Sequence, residues 1–391
     1  MLNSPFAPWP SFSEEETAAV TRVLSSNRVN YWTGTECREF ETEFAAWSGS
    51  AKAVSLANGT VALDLALHTL DLRTGDEVVV TPRSFIASAS CVVNAGLVPV
   101  FADVDRDTQN ITAATISEVL TDRTRAILCV HLAGYPCDMD AIMSLAKSRG
   151  LFVIEDCAQA HGATYKGRPV GTWGDINAWS FCQDKIITTG GEGGMVTTDR
   201  ADLWEKAWSY KDHGKSWSAT YERQHPPGFR WLHEDFGTNW RMLEMQAAIG
   251  RIQLRRMPVW HAQRKANAEA IVAAAQSCPA LRVPALPADC EHAWYRCYVF
   301  VRPDMLRAGW DRDRIVQEIS AAGVPCLQGS CSEIYLEKAF VKAGLQPRHR
   351  LPVARELGET SLAFLVHPTL KKSEIEKTAS VLADVMSKAT A

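Results

Sequence analysis

The sequence predicts an α/β fold, with a large domain on a mostly parallel central sheet and a smaller C-terminal α+β domain. Three observations predict it. A chain of 391 residues is longer than one small core requires. Short, almost wholly apolar strands alternate with helical stretches between about residues 51 and 156, as in parallel sheets that helices cover on both faces. The pattern changes after about residue 250, so we expect a large domain at residues 1–250 and a small domain at 251–391.

The elements of the large domain follow in order along the chain. Ser13 and Glu16 form a capping-box pattern before a helix with apolar residues at helical spacing. The alternation that follows comprises the strands AKAVSLA, DEVVVTP, VPVFADV, RAILCVH and LFVIED and the helices VALDLALHTL, IASASCVVNAG and MDAIMSLAKSRG. Next, INAWSF and GGMVTTD predict two strands joined by a polar, glycine-rich loop. Parallel sheets bind ligands beyond the carboxyl ends of their strands, so residues there are the candidates for a site.

The C-terminal part begins with a long helical stretch, MLEMQAAIGRIQLRRMPVWHAQRKANAEAIVAAA, and continues with a strand in YRCYVFVRP. Helices are predicted at residues 311–322 and 373–388, the second with its apolar residues on one side. We find no internal repeat and no low-complexity linker, so we expect the two domains to share an interface.

Composition and charge exclude several function classes. The formal net charge of −4 provides no basic field for nucleic acid, although local lysines and backbone N–H groups can still bind a small anion. No apolar run approaches the roughly 18 to 20 residues that span a bilayer, and the first residues lack the basic and apolar segments of a secretory signal. The eleven cysteines are dispersed without a CxxC pair, which is typical of reduced thiols and predicts no metal site. We therefore expect a cytoplasmic protein.

Asp156 and Lys185 are the strongest candidates for catalysis. Asp156 ends the apolar strand LFVIED, where a carboxylate either faces a ligand or caps the next helix, and the fragment alone gives both readings equal weight. Lys185 lies in WSFCQDKIITTGGEGG, between a strand and a glycine-rich turn. An isolated lysine is usually a solvated surface charge. Apolar neighbours would desolvate this one, lower its pKa and make it an amine nucleophile towards aldehydes.

Four further residues complete the parts of a cofactor site. Gly59 and Thr60 lie between a strand and a helix, whose first N–H groups and dipole favour an anion such as phosphate; a simple Asn-Gly turn is the alternative. Ser180 would add a hydroxyl. Phe85 follows a strand ending at Pro82, where its ring either stacks on a planar cofactor or packs in the core. Lysine, carboxylate, phosphate cradle and stacking ring are together the parts that pyridoxal 5′-phosphate (PLP) requires.

Several blocks of the sequence resemble the DegT/DnrJ/EryC1/StrS family of PLP-dependent sugar aminotransferases. The matching blocks are SLANGTVALDLAL, TPRSFIASAS, VFADVD, HLAGYPCDMDAI, VIEDCAQAHGA, WSFCQDKIITTGGEGGMVTTD and GTNWRMLEMQAAIGRIQL. A weaker block, LPVARELGETSLAFLVHPTLKKSEI, resembles the family's C-terminal pattern, so the resemblance covers nearly the whole chain. It implies the fold-type I aminotransferase architecture and a homodimer with active sites at the subunit interface.

The resemblance also implies roles for individual residues. Lys185 matches the lysine that forms the Schiff base with PLP, and Asp156 matches the partner of the pyridinium nitrogen. Gln159 matches the position that hydrogen-bonds the ring hydroxyl, and Asn239 matches a residue that reaches the phosphate from the neighbouring subunit. The remaining matches are three phosphate contacts and the ring-stacking position, namely Gly59, Thr60, Ser180 and Phe85.

The implied reaction moves an amino group from L-glutamate to a nucleotide-linked keto-6-deoxysugar, at its 3- or 4-keto position. The product would serve a surface glycan such as the O-antigen of lipopolysaccharide, or a natural product. Some family members have histidine at the lysine position and dehydrate deoxysugars, so Lys185 favours amino transfer. Alternatives are a keto-cyclitol aminotransferase, a PLP-dependent sugar dehydratase and a non-catalytic PLP-binding regulator. The joint presence of Lys185, Asp156 and Gln159 argues against the regulator.

Acceptor recognition rests on weaker signals. The candidates for the border of a sugar-nucleotide pocket are Tyr31 and Trp32, in an aromatic loop after the first helix, and His213 and Arg241. Each has an ordinary structural alternative: a buried aromatic pair, a loop imidazole or a surface ion pair.

Overall fold

A computed structural model of the protein describes residues 6–390. Its α-helices are α1 (Glu14–Ser26), α2 (Glu36–Ser48), α3 (Gly59–Thr69), α4 (Ala87–Asn94), α5 (Ala113–Ser117), α6 (Met139–Arg149), α7 (Ala201–Tyr210), α8 (Trp217–Tyr221), α9 (Glu244–Gln276), α10 (Arg312–Ala321), α11 (Lys338–Ala343), α12 (Pro352–Thr360) and α13 (Lys372–Ala389). Its β-strands are β1 (Lys52–Leu56), β2 (Glu77–Val80), β3 (Val98–Phe101), β4 (Thr124–Val130), β5 (Phe152–Asp156), β6 (Thr164–Tyr165), β7 (Arg168–Pro169), β8 (Ile176–Ser180), β9 (Gly194–Thr198), β10 (Leu281–Arg282), β11 (Cys290–Glu291), β12 (Cys297–Val301), β13 (Cys326–Leu327) and β14 (Ser361–Phe364). Short 3₁₀ turns lie at Leu132–Gly134, Pro303–Met305 and Ile334–Leu336.

Seven strands form the central sheet, in the order β1-β9-β8-β5-β4-β2-β3. The strands from β8 to β3 are mutually parallel, while β9 runs antiparallel to both β8 and β1. The prediction of a mostly parallel sheet is therefore confirmed. INAWSF and GGMVTTD are indeed two paired strands, β8 and β9, joined by the loop that carries Lys185.

Helices cover both faces of this sheet, which explains why most residues of its strands are apolar and buried. Successive side chains of a strand point to opposite faces. Val78 and Leu128 pack with residues of α3, α4 and α7, whereas their neighbours Val79 and Ile127 pack with residues of α5 and α6. Two apolar cores thus fix the sheet from both sides and hold the carboxyl ends of its strands in place.

The long helix α9 connects the two parts of the chain. Its first half packs against α1 and α2, and its second half packs against α13 and β12. The second sheet, β10-β12-β14-β13, is antiparallel and shares an apolar core with α9, α10 and α13. The predicted domain boundary at residue 250 falls within α9.

Two helix starts test the local predictions. The capping box of α1 is confirmed, because the Ser13 backbone N–H donates to Glu16 Oε2 at 2.6 Å. Helix α3 begins at Gly59, two residues earlier than the predicted start at Val61. The reason is that Asn58 itself is the cap, accepting the Val61 N–H at 3.0 Å through its side-chain oxygen.

Three observations concern the environment of the protein. Within residues 6–390, no helix combines the length and the apolar character needed to cross a membrane. All eleven cysteines carry free thiols. The first five residues of the segment considered for a secretory signal lie outside the described part of the chain.

Candidate active site

A cavity of about 1070 Å³ opens beyond the carboxyl ends of β5 and β8, next to the first residues of α3 and α4. The residues Tyr295, Arg296 and Tyr298, at the start of β12 and just before it, form part of its opposite wall. Seven of the eight residues predicted to bind the cofactor line it: Gly59, Thr60, Phe85, Asp156, Gln159, Ser180 and Lys185. The fold therefore brings together residues that lie up to 126 positions apart, from Gly59 to Lys185.

One end of the cavity is built to bind an anion. The first N–H groups of a helix have no acceptor within the helix, and Asn58 caps only Val61. The backbone N–H groups of Gly59 and Thr60 therefore have no hydrogen-bond partner within residues 6–390. The helix dipole adds partial positive charge there. Ser180, at the end of β8, packs so closely that a Cβ on Gly59 would lie 2.5 Å from the Ser180 Cβ. Glycine is therefore the residue that lets the helix start approach the serine hydroxyl.

Asp156 lies at the centre of the cavity wall as a buried carboxylate. It accepts hydrogen bonds from the Ser88 hydroxyl at 2.7 Å and from the Ala158 backbone N–H at 3.1 Å. Burial raises its pKa, although those two bonds and Lys185 oppose the shift. Within the described part of the chain, no lysine, arginine or histidine nitrogen lies within 4.0 Å of it. The carboxylate is thus oriented but lacks a close cationic partner.

The neighbouring Glu155 is a buried carboxylate with more hydrogen-bond donors than Asp156. It is buried and accepts hydrogen bonds from His131 and from the backbone N–H groups of Gly171, Trp173 and Gly174, at 2.7 to 2.9 Å. Burial alone would raise the pKa of Glu155, but these donors outweigh it and lower the pKa. The pKa values of the two adjacent carboxyl groups on β5 are therefore shifted in opposite directions: that of Glu155 is lowered and that of Asp156 is raised. Of the two, only Asp156 lines the cavity.

Gln159 is oriented so that its side-chain oxygen is bonded within the protein and its amide nitrogen is available to donate to a ligand. Its side-chain oxygen accepts the backbone N–H of Ala133 at 2.7 Å, and a backbone N–H can only donate, which fixes the orientation of the amide. Ala133 adopts a left-handed conformation with φ of 58°, and its carbonyl accepts the N–H of Tyr295 at 2.9 Å. One turn thus orients Gln159 and ties the central sheet to the opposite wall.

Lys185 lies beside an acid and an aromatic ring. Its Nζ atom is 3.6 Å from Asp184 Oδ1 and 5.0 Å from the centre of the Tyr295 ring. Burial acts to lower the pKa of Lys185, as expected from the sequence, but Tyr295 and Asp184 outweigh it and the pKa is raised. The expectation of a lowered pKa is therefore wrong for the chain by itself, because it neglected the adjacent carboxylate.

Four residues of the site were missed by the sequence reasoning. Asp184 could have been found, since it precedes Lys185 in the chain. Ser88, Tyr295 and Arg296 carry no local signal, because only tertiary packing brings them to the cavity. Phe85, which was predicted, lines the cavity with 65% of its surface exposed, as a ring available for stacking would be.

The remaining predicted residues do not line the cavity of this chain. Tyr31 is buried, with its hydroxyl bonded to Glu41, and Trp32 lies beneath the Lys215 ammonium at 3.8 Å. His213 and Asn239 are exposed, and Arg241 forms an ion pair with the buried Asp212.

We call residues 213–241 the arm segment. It is anchored at its two ends, where the His213 N–H donates to the Thr238 carbonyl at 2.9 Å. Between these ends, Phe229, Trp231 and Phe236 are exposed by 80%, 79% and 93%. Such exposure of large aromatic side chains is unusual for a protein surface that has no partner.

Comparison with known proteins gives consistent matches. The model of the DegT/DnrJ/EryC1/StrS aminotransferase family matches residues 10–383. An X-ray structure of the aminotransferase from Psychrobacter cryohalolentis is 62% identical, with a TM-score of 0.97, over 98% of this chain and 100% of that chain. The dTDP-3-amino-3,4,6-trideoxy-alpha-D-glucose transaminase of Streptomyces venezuelae is 33% identical over 94% of this chain and 91% of that protein. GDP-perosamine synthase of Escherichia coli O157:H7 is 42% identical over 63% of this chain and 64% of that protein, less than two thirds of either.

Proposed function

Because the chain belongs to the DegT/DnrJ/EryC1/StrS family and is a PLP-dependent aminotransferase, we propose that it transfers the amino group of L-glutamate to a nucleotide-linked keto-6-deoxysugar. The observation that carries the proposal is that Lys185 and the buried carboxyl group of Asp156 line one cavity together with the first residues of helix α3. The acceptor position is the 3- or 4-keto group. Two of the relatives named above are named for a GDP-linked and a dTDP-linked amino sugar, which supports a nucleotide-linked acceptor without selecting the nucleotide.

The residues of the cavity fit PLP. The N–H groups of Gly59 and Thr60 and the hydroxyl of Ser180 would hold its phosphate. The carboxylate of Asp156 would receive the proton-bearing pyridine nitrogen, which supplies the missing cationic partner. Phe85 would stack on the ring, and the free amide nitrogen of Gln159 would donate to the ring hydroxyl; their positions are consistent with these roles.

Lys185 carries the chemistry in this proposal. Its Nζ would hold the cofactor covalently in the resting enzyme and would be free to act as a base while the amino donor is bound. PLP, when bound, supplies an electron sink that stabilises negative charge on the Cα of the donor. The released Nζ of Lys185 then takes the proton from that Cα, and in the second half of the reaction it returns a proton to the carbon that becomes aminated.

Asp156 acts at the far side of the cofactor ring in the proposed mechanism. A carboxylate whose pKa is raised by burial is ionised most easily when a cation lies against it. Pairing with the ring nitrogen therefore benefits both groups: Asp156 becomes ionised, and the nitrogen keeps the proton that makes the ring an electron sink. Ser88 and Ala158 keep the carboxylate in position throughout.

The proposed assembly is a homodimer in which the arm segment serves the neighbouring site. Asn239 is exposed and does not line the cavity of its own chain, which supports contact with the phosphate bound to the other subunit. The exposed Phe229, Trp231 and Phe236 provide apolar surface for such an interface. The acceptor pocket is proposed to be bordered from that side by His213 and Arg241 of the arm segment and by Trp32, which lies under Lys215 of that segment. Tyr31 is buried, so its proposed part is to support the neighbouring Trp32 from beneath the surface.

We place the enzyme in the cytoplasm, where free thiols are stable and nucleotide sugars are available, and its product in surface-glycan or natural-product synthesis. The eleven free cysteines support this location.

The decisive experiment is a screen of dTDP-, UDP- and GDP-linked amino sugars in the reverse direction, with 2-oxoglutarate as the amino acceptor. We expect one nucleotide series to lose its amine and to produce glutamate. Amino-cyclitols are included as the competing substrates, and their exclusive use would overturn the sugar assignment. The forward reaction, with the matching keto-deoxysugar and an amino acid, tests the other two alternatives. Release of water from the keto-deoxysugar without gain of nitrogen would identify a dehydratase, and consumption of other amino acids with no response to glutamate would refute the donor.

A further inference from the structure

Asp184 and Tyr295 contact each other and surround the amine of Lys185. The transfer reaction proposed above assigns no role to either of them. All three residues line the cavity. They come from different parts of the chain: Asp184 and Lys185 lie in the loop between β8 and β9, and Tyr295 lies two residues before β12. Their contact is therefore a product of the tertiary fold.

The two oxygens of the Asp184 carboxylate have different partners. The Tyr295 hydroxyl donates a hydrogen bond to Oδ2, while Oδ1 faces Lys185 Nζ at 3.6 Å. The ring of Tyr295 lies under the same ammonium, with its centre 5.0 Å away. Lys185 is thus held by a carboxylate oxygen on one side and by an aromatic face on the other.

Tyr295 also has a second cation on its ring. The guanidinium carbon of Arg296 lies 4.6 Å from the ring centre, so two positive groups share one aromatic side chain. The Tyr295 hydroxyl is hydrogen-bonded to the Asp184 carboxylate, whose negative charge offsets the repulsion between the Lys185 ammonium and the Arg296 guanidinium. In agreement, burial acts to raise the pKa of Asp184, but Lys185 and Tyr295 outweigh it and the pKa is lowered.

We propose that Asp184, oriented by Tyr295, is a positioning residue that holds the Lys185 amine in place and stabilises its charged form whenever the lysine is not bonded to the cofactor. This inference rests on the proposed role of Lys185. During the reaction, the amine becomes an ammonium when it takes the Cα proton and an amine again when it gives a proton up. A carboxylate beside it lowers the free energy of the ammonium and prevents the long side chain from leaving the reacting atoms.

Other groups near Lys185 do not replace Asp184. Asp156 is the other carboxylate that acts on Lys185, but within residues 6–390 neither of its oxygens lies within 4.0 Å of Nζ, and it is assigned to the ring nitrogen. Cys182 lies in the same loop, and burial raises its pKa, so it is neutral at working pH. His161 is also neutral, since burial lowers its pKa to about 3. Glu192 lines the cavity too, without an ion pair to Lys185, and serves as a matched control.

The test measures the charge of Lys185 directly in cofactor-free protein. Limited reductive methylation with formaldehyde labels the uncharged amine, and mass spectrometry of the Lys185 peptide gives the rate at each pH. We expect the midpoint of this profile to move to lower pH in Asp184→Asn, with labelling at least about threefold faster below the midpoint, because an opposite charge within a few ångströms favours the ammonium. Asp184→Glu should return the midpoint towards the wild-type value. Tyr295→Phe should give a smaller shift in the same direction, and Glu192→Gln should give none.

Two results would overturn the inference: an unchanged midpoint in both Asp184→Asn and Tyr295→Phe, or an equal shift in Glu192→Gln. Borohydride reduction of PLP-loaded samples of the same variants tests the proposed function independently of the role of Asp184. If PLP is recovered on Lys185 while the midpoints coincide, only the role of Asp184 fails. If PLP is not recovered on Lys185 even in the wild type, the proposed function fails. Should Asp184→Asn not fold, Tyr295→Phe carries the test, because it removes one hydroxyl and retains the ring.

Discussion

The predicted site has two parts, the arm segment and a set of cavity residues that we call the cavity floor: Gly59, Thr60, Asp156, Gln159, Ser180 and Lys185. The two parts differ in how completely a single chain forms them. On the floor, Asp156 ends β5, Gln159 and Lys185 lie in the loops that follow β5 and β8, and hydrogen bonds or an ion pair within the chain orient all three side chains. In the arm segment, Asn239 and His213 are exposed, and three aromatic rings of the segment face solvent. The floor is ready for a cofactor within one chain, whereas the arm segment has surface that one chain leaves uncovered.

The central sheet of one chain positions the residues of the cavity floor, whereas the proposed homodimer would position the residues of the arm segment. Burial and hydrogen bonds within the chain determine the geometry of the floor, so substitutions there should act on chemistry. The arm segment depends on the proposed second copy, so substitutions there should act on association first and on chemistry second. The following predictions test that division, in order of decreasing effect.

Replacing the lysine of the floor should have the largest effect. Lys185→Ala removes both the covalent attachment of the cofactor and the group that moves the proton, so we expect turnover to fall by at least about 10⁴-fold. Cofactor should still bind through the phosphate and ring contacts. Steady-state kinetics together with the absorbance of bound cofactor measure the two effects. A variant with substantial activity would show that another residue does this work.

Asp156→Asn should reduce turnover by about 10² to 10⁴-fold, because an amide does not hold the proton on the ring nitrogen. Stability should respond in the opposite direction. Burial raises the pKa of Asp156, so the folded cofactor-free chain favours its protonated form, and the stability that this form provides is lost as the pH rises through that pKa. The variant avoids this loss. Its cofactor-free melting temperature at pH 8 should therefore equal or exceed that of the wild type, and a clear fall would contradict the electrostatic account.

In the arm segment, Trp231→Ser and Phe236→Ser should weaken the dimer by about tenfold or more, since each buries a large aromatic surface in the proposed interface. Sedimentation velocity at several concentrations measures the dissociation. Val259→Ser is the matched control, because Val259 is also exposed, by 72%, but lies on α9. Equal effects from all three substitutions would argue against a specific interface at the arm segment.

Asn239→Ala should have the smallest effect, a several-fold weaker retention of PLP, because one neutral hydrogen bond contributes about 1 kcal/mol. A mixed dimer of Lys185→Ala and Asn239→Ala subunits decides which chain Asn239 serves. If it serves the neighbour, one site of the mixed dimer has both wild-type residues and retains cofactor normally. If it serves its own chain, the site that keeps Lys185 lacks Asn239 and should retain PLP as weakly as the Asn239→Ala homodimer.

The sequence predicted most of the floor because its residues follow recognisable local patterns. Asp156 follows an apolar strand, Gly59 and Thr60 begin a helix, and Lys185 lies between a strand and glycines. Tyr295 was missed because nothing near it in the chain indicates that its hydroxyl reaches Asp184. Such contacts depend on how the second sheet packs against the first, which local patterns do not encode.

The pKa of Lys185 shows the same limit at the level of electrostatics. Apolar neighbours in the sequence indicated desolvation correctly, and burial does act to lower the pKa. The direction of the shift nevertheless depends on Asp184 and Tyr295, whose distances from Nζ the sequence does not provide. The sign of a sum of opposing electrostatic effects depends on interatomic distances, which local sequence patterns do not provide.

The central claim is that Lys185 bonds covalently to PLP. Sodium borohydride reduction of the PLP-loaded enzyme, followed by proteolysis and mass spectrometry, tests it most directly. We predict a single modified peptide that contains Lys185 and loss of the visible absorption band in proportion to its yield. A stable adduct on another lysine, or a protein that binds no PLP on reconstitution, would contradict the account.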